Sequence, residues 1–161
     1  MSSVVKDVGE VKLVGFRILC SGEEYVTEIP KAALRLKERA EEIQNLLDPL
    51  QQIGVFVVEE SSPEEDGYWI GLQVSEFGDI PAGMTNLTIP PHRYATILHQ
   101  GPNDQIRNSY ERLHQWISDH GYTRSTQSWN LEIYQKENQP NKPSYVQVEL
   151  CDAILSGEKG E

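Results

Sequence analysis

The feature that most constrains this chain is an order of elements, strand, helix, strand, strand, that its residue pattern spells out twice. Residues 11–20 mix β-branched and aromatic side chains without a helical period and stop at Ser21-Gly22, which predicts a strand and a turn. From Pro30 the composition shifts to Ala33, Leu34, Leu36, Lys37, Arg39, Ala40, Ile43, Leu46 and Leu47. Leu36, Ala40, Ile43 and Leu47 then share one helical face, with Pro30 suited to the first turn and Asp48-Pro49 to the stop. Residues 55–58 and 67–77 read as two antiparallel strands joined by an acidic turn.

The second half repeats this order. Residues 93–99 are strand-like, and Gly101-Pro102-Asn103 is a turn whose Asn103 or Asp104 suits a helix cap. Ile106, Tyr110, Leu113 and Ile117 recur at helical spacing before Gly121. Two further strands are expected at 129–136 and 145–151, separated by a loop holding Pro140 and Pro143. The period is about eighty residues. It predicts an α+β fold of tandem β-α-β-β units, pseudo-repeats near 10–78 and 84–152, with a ligand cleft where the two antiparallel sheets meet.

Composition narrows the function. The 161 residues fit one domain. Lys+Arg 14 against Asp+Glu 25 leaves a net charge of −11, the wrong sign for gripping nucleic-acid phosphates or an anionic membrane. Docking of a basic partner is compatible with that charge but has no motif behind it. The crowd of Glu59, Glu60, Glu64, Glu65 and Asp66 reads as a solvated turn with no chemistry. No basic, apolar leader and no run of ~20 apolar residues occurs, so a cytoplasmic location is expected. Cys20 and Cys151 read as buried free thiols. His92, His99, His114 and His120 lack metal-ligand spacing, and no phosphate-cradling glycine loop or G-x-S-x-G elbow is present, so neither metal nor cofactor is expected.

Side-chain alternation then divides the strands into faces. Trp129, Leu131 and Ile133 form an apolar set, as do Val146, Val148 and Leu150, and Ile70, Leu72 and Val74. Each set is expected to meet a helix. The opposite face collects Asn130, Glu132 and Tyr134, then Tyr145, Gln147 and Glu149, then Trp69, Gly71 and Gln73. Aromatic faces attract a cation by ~0.5 to 2 kcal/mol each, and a partly desolvated carboxylate adds a stronger Coulomb term than in bulk water. Glu132, Trp69, Asn130, Tyr134, Tyr145 and Gln73 are therefore the candidate ligand-binding residues, and the expected partner is an aromatic or lipophilic cation.

Five stretches carry a family resemblance: Lys12-Leu13-Val14-Gly15-Phe16-Arg17; Gly67-Tyr68-Trp69-Ile70-Gly71; Tyr94-Ala95 with His99-Gln100-Gly101-Pro102; the helix from Ile106 to Gly121-Tyr122; and Leu131-Glu132-Ile133-Tyr134. Through them the chain resembles the GyrI-like small-molecule-binding domain, the effector-binding domain of AraC-type and multidrug-responsive regulators, in its stand-alone form. The resemblance covers nearly all of residues 1–161 as a single effector-binding domain. It implies a ligand cleft at a pseudo-twofold axis, with the family's acidic residue falling on Glu132. Regulators of this type carry a basic helix-turn-helix before the effector domain; with a first strand expected near Val11, no such segment is expected here.

Two functions follow as expectations. The first is a small-molecule binding protein that sequesters or senses hydrophobic, aromatic and cationic compounds. The alternative is a hydrolase of strained electrophilic toxins, for which some stand-alone relatives give precedent. Glu132 would then be the general base and Tyr134 or Tyr145 the donor to the oxyanion.

Overall fold

The computed structural model describes residues 3–135 and 145–155. The Lys136 end of one expected strand and the loop with Pro140 and Pro143 lie outside the described residues. Eight strands, β1 Val4–Val8, β2 Val11–Ile18, β3 Gln52–Val57, β4 Tyr68–Gln73, β5 Thr85–Ile89, β6 His92–Gly101, β7 Trp129–Tyr134 and β8 Val146–Ala153, form one antiparallel sheet. Two helices complete it, α1 Tyr25–Glu38 and α2 Ile106–Asp119.

The sheet order is β1-β6-β8-β7-β3-β4-β2-β5. Its six inner strands are the two β-α-β-β units laid head to head, with their second strands, β7 and β3, paired at the seam. The outer strands, which the sequence pattern did not reveal, are exchanged. β1 precedes the first unit yet pairs with β6 of the second, and β5 precedes the second yet pairs with β2 of the first.

Two short connections force the sheet to curl. Ile89 and His92 are separated only by Pro90 and Pro91, which span about 11 Å at most. Gly9 and Glu10 bridge Val8 to Val11 in the same way, so the two edges meet at one corner. Among the described residues no helix covers the concave face. Val11, Leu13, Ile53, Val55, Trp69, Ile89, Tyr94, Leu131, Cys151 and Ala153 pack there as a core of their own.

The convex face carries the helices. Ala32, Ala33 and Leu36 of α1 pack on Val14, Phe16, Ile18, Ile70 and Leu72, and Leu113 and Ile117 of α2 pack on Ala95, Ile97, Val148 and Leu150. Each helix covers the outer strands of its own unit. The seam strands β7 and β3 run between them. Among the described residues no helix is long and apolar enough to cross a membrane.

The first helix differs from its expected limits at both ends. It begins at Tyr25, so Pro30 lies inside it and supplies no N–H to the Val26 carbonyl. The Asn103 side chain, from the segment leading into α2, donates to that carbonyl instead at 3.2 Å. At the other end the helix stops at Glu38 rather than running to Leu47. Asn45 takes a left-handed φ of 63° and Leu46 bridges to Val74, which draws this segment onto the sheet. Ile43 is still buried, but from an extended backbone. Cys151 is buried as expected, whereas Cys20 is only half-buried.

Gly15 and Gly71 face each other across β2 and β4. A Cβ on Gly15 would overlap the Ile70 carbonyl and the Gly71 Cα, both rigid backbone. Gly15→Ala should therefore destabilise the fold by about 3 kcal/mol. Urea denaturation reads this as a lower midpoint with an unchanged slope. An unchanged midpoint would mean that the two strands do not need so close an approach.

Candidate functional site

Glu132 lies mid-strand in β7, where alternation turns its side chain to the convex face, the side on which the helices stand. This inverts the expectation for β7. Its apolar set, Trp129, Leu131 and Ile133, meets the concave core and not a helix. The apolar-to-helix rule holds for β4 and β8, which lie under α1 and α2. It fails for β7 because among the described residues no helix covers the seam, and the concave face is itself a core.

Between the helices the seam opens into a cavity of about 410 Å³, a size suited to a drug-like ligand. Tyr25, Val26, Ile29 and Pro30 of α1 form one wall and Ile106 of α2 stands opposite. Phe56, Tyr68, Glu132 and Tyr134 lie across the sheet beneath. Phe56 stacks on Tyr68 with centroids 6.0 Å apart and meets the edge of Tyr110 at 6.3 Å. Glu60, Asp66 and Glu132 are acidic, and among the described residues no Lys, Arg or His lines the cavity.

Glu132 is 6% exposed and is held by phenols. Tyr68 donates to Oε1 at 2.6 Å and Tyr110 donates to Oε2 at 2.7 Å. The Tyr134 hydroxyl sits 3.5 Å from Oε1 and 3.0 Å from the Tyr68 oxygen. Tyr68 reaches Glu132 by crossing over β3 at Gly54, the cross-strand partner of both Ile70 and Glu132. A Cβ on Gly54 would overlap the Tyr68 hydroxyl and Cζ.

Burial pushes the Glu132 carboxyl above its ordinary range, and hydrogen bonds from Tyr68, Tyr110 and Tyr134 offset only part of that rise. Burial, followed by the nearby Glu132 charge, holds the Tyr68, Tyr110 and Tyr134 phenols well above theirs. These phenols stay protonated and act as donors, which is the role the carboxylate needs from them.

The six candidate residues separate in space. Glu132 and Tyr134 line the cavity together. Asn130 shares their face but is buried elsewhere, donating to Asp152 Oδ1 at 2.8 Å and accepting from the Ala153 N–H at 2.7 Å. Burial alone would raise the Asp152 carboxyl, but His114, Arg124 and Asn130 together hold it below its ordinary value. Trp69 lies in the concave core, edge-on to Trp129 at 5.2 Å with the Arg17 guanidinium 4.8 Å over its ring. Gln73 belongs to that face too, and Tyr145 is 53% exposed. None of these last four residues lines the cavity.

Other cavity residues escaped sequence reasoning. Tyr68 alternates with Ile70 and Leu72 and reads as core, and Tyr110, which caps Glu132 beside the cavity, falls on the apolar stripe of a helix. Only their hydroxyls distinguish them. The acidic turn read as having no chemistry supplies Glu60 and Asp66 to the cavity. Arg17 holds that turn in place, donating to the Pro63 and Asp66 carbonyls at 2.7 Å each. Among the described residues no three His, Cys, Asp or Glu side chains gather to hold a metal ion.

The family and the fold are both known. The chain belongs to the GyrI-like small molecule binding domain family, whose model matches residues 1–154. No curated protein matches it. Its fold is similar to that of the EcmrR C-terminal domain, at 21% identity and a TM-score of 0.68, covering 96% of this chain and 97% of that one. It spans 57% of the EcmrR chain in a DNA complex. SAV2435 bound to tetraphenylphosphonium is also similar, at 17% identity and a TM-score of 0.63, covering 97% and 95% of the two chains. A hydrolase encoded by lin2189 from Listeria innocua follows at 13% and 0.56, covering 95% and 91%. At these identities the likeness is one of fold.

The Glu132 environment predicts a pH effect with a definite sign. The folded chain holds the Glu132 proton more tightly than the unfolded chain, whose carboxyl titrates near 4.5. Stability of the wild type should therefore fall as pH rises above that value, through the folded-state titration. Glu132→Gln should lack this component. Urea midpoints of the two proteins between about pH 4.5 and neutrality measure it, and parallel curves would contradict the assignment.

Proposed function

We propose that this chain binds lipophilic, aromatic cations in the cavity between α1 and α2, with Glu132 as the charge that receives them. The observation that carries this is a buried carboxylate on the floor of a ring-walled cavity whose described lining residues include no cationic side chain. Such a floor favours a cation in two ways. Its Coulomb attraction is stronger than in water because the surroundings are poorly polarisable, and the faces of Phe56, Tyr25 and Tyr68 add quadrupole attraction. A delocalised or bulky cation suits the site because its own desolvation is inexpensive. The tetraphenylphosphonium bound by SAV2435 is a ligand of this kind.

Membership of a small-molecule binding family supports binding as the activity. The hydrolytic alternative asks Glu132 to take a proton from water. Both of its oxygens already accept hydrogen bonds from phenols, so the geometry favours a ligand held over a bond cleaved. Sequestration and sensing share this binding step, and either use places the chain in a setting where such compounds reach it from solution.

Calorimetric titration with tetraphenylphosphonium should give saturable one-to-one binding. Glu132→Gln should weaken it roughly tenfold or more, equivalent to ~1.4 kcal/mol. Wild-type affinity should also rise with pH as Glu132 loses its proton, and Glu132→Gln should show no such rise. No saturable heat from the wild type, or equal affinity in the variant, would remove this function.

A further inference from the structure

We propose that the cavity prefers permanently charged cations without an N–H donor, such as quaternary ammonium or phosphonium compounds, over primary ammonium compounds of the same skeleton, and that Gly54 sets this preference by letting Tyr68 cap Glu132. This rests on the cation-binding function above and names the class of cation.

A carboxylate offers about four lone-pair sites on two oxygens. Tyr68 takes Oε1 at 2.6 Å, Tyr110 takes Oε2 at 2.7 Å, and the Tyr134 hydroxyl stands 3.5 Å from Oε1. The negative charge is therefore present, while most of its hydrogen-bonding capacity is spent. A quaternary cation loses nothing by this, because it interacts only through charge and through contact with rings. A primary ammonium must give up its three hydrogen bonds to water and finds few acceptors at the cavity floor. Glu60 and Asp66 are exposed and belong to the turn held by Arg17, so they do not supply acceptors at the floor beside Glu132.

Gly54 makes the cap possible. Tyr68 is on β4 and Glu132 on β7, and β3 lies between them. The phenol reaches Oε1 only through the space that a side chain at position 54 would occupy. The atoms a Cβ would meet are the far end of a side chain, so Gly54→Ala can be accommodated by the ring swinging away. That movement would free Oε1 while Tyr110 keeps Oε2.

The test compares phenylbutyltrimethylammonium with phenylbutylammonium by calorimetry at neutral pH. The wild type should bind the quaternary probe at least about tenfold more tightly. In Gly54→Ala, and in Tyr68→Phe, which keeps the ring but not the hydroxyl, the ratio should fall about fivefold or more, because the primary ammonium gains a charge-assisted bond to Oε1. A ratio is indifferent to a general loss of affinity or stability, and Tyr68→Phe keeps the test decisive if Gly54→Ala folds poorly. Equal or tighter wild-type binding of the primary probe, or an unchanged ratio in Tyr68→Phe, would overturn the preference. A changed ratio in Tyr68→Phe but not in a folded Gly54→Ala would overturn the role of Gly54. Binding of neither probe by the wild type would overturn the cation-binding function itself.

Discussion

The buried Glu132 carboxylate and the phenols that hold it are the interaction on which the site depends. A lone ionised carboxylate in such surroundings would be too costly to keep and would take up a proton. Donors from β4, α2 and β7 lower that cost and, by converging on one group, tie the two units together. Tyr68 comes from the first unit, and Glu132, Tyr110 and Tyr134 from the second. The same bonds that stabilise the charge also fix the side chains of the cavity floor relative to one another.

What lets the cavity exist is the curl of the sheet. A flat sheet with helices on one side would need a partner for its other face. Here the exchanged strands β1 and β5 draw the edges to one corner, and the concave side becomes a core in its own right. The helices are then free to cover only the outer strands. The gap between them above β7 and β3 costs little, because the strands beneath are already anchored from below by Leu131, Ile53 and Val55. Across the top, Asn103 binds the Val26 carbonyl that Pro30 leaves unpaired, a polar link between the cavity-lining ends of the two helical segments.

The doubled β-α-β-β order, both helices and six strands were legible because each has a period or a turn signal of its own. β1 and β5 were not. Each is a short edge strand of five residues in a polar stretch, and its position depends on pairing with the other unit rather than on its own composition. Glu132 and Tyr134 could be picked out as polar groups in an apolar strand. The correct face could not, because alternation shows that two faces differ but not which of two cores each one meets. Trp69 was misplaced for that reason: its face is polar at Gln73 yet turns inward to Trp129 and Leu131. Tyr68 and Tyr110 were hidden in apolar stripes, since a buried tyrosine with a partner leaves the same pattern as a phenylalanine.

The seam also explains why a duplicated architecture ends with one charge rather than two. Gly54 of β3 and Glu132 of β7 are direct cross-strand partners where the two units meet. A second glutamate at position 54 would set like charges face to face in a poorly polarisable site, which opposes folding far more strongly there than on a surface. A glycine removes that repulsion and, by leaving a space, admits the Tyr68 phenol that the remaining carboxylate requires. The units are alike in topology and unlike at their axis. That asymmetry leaves one carboxylate at the seam, on the cavity floor.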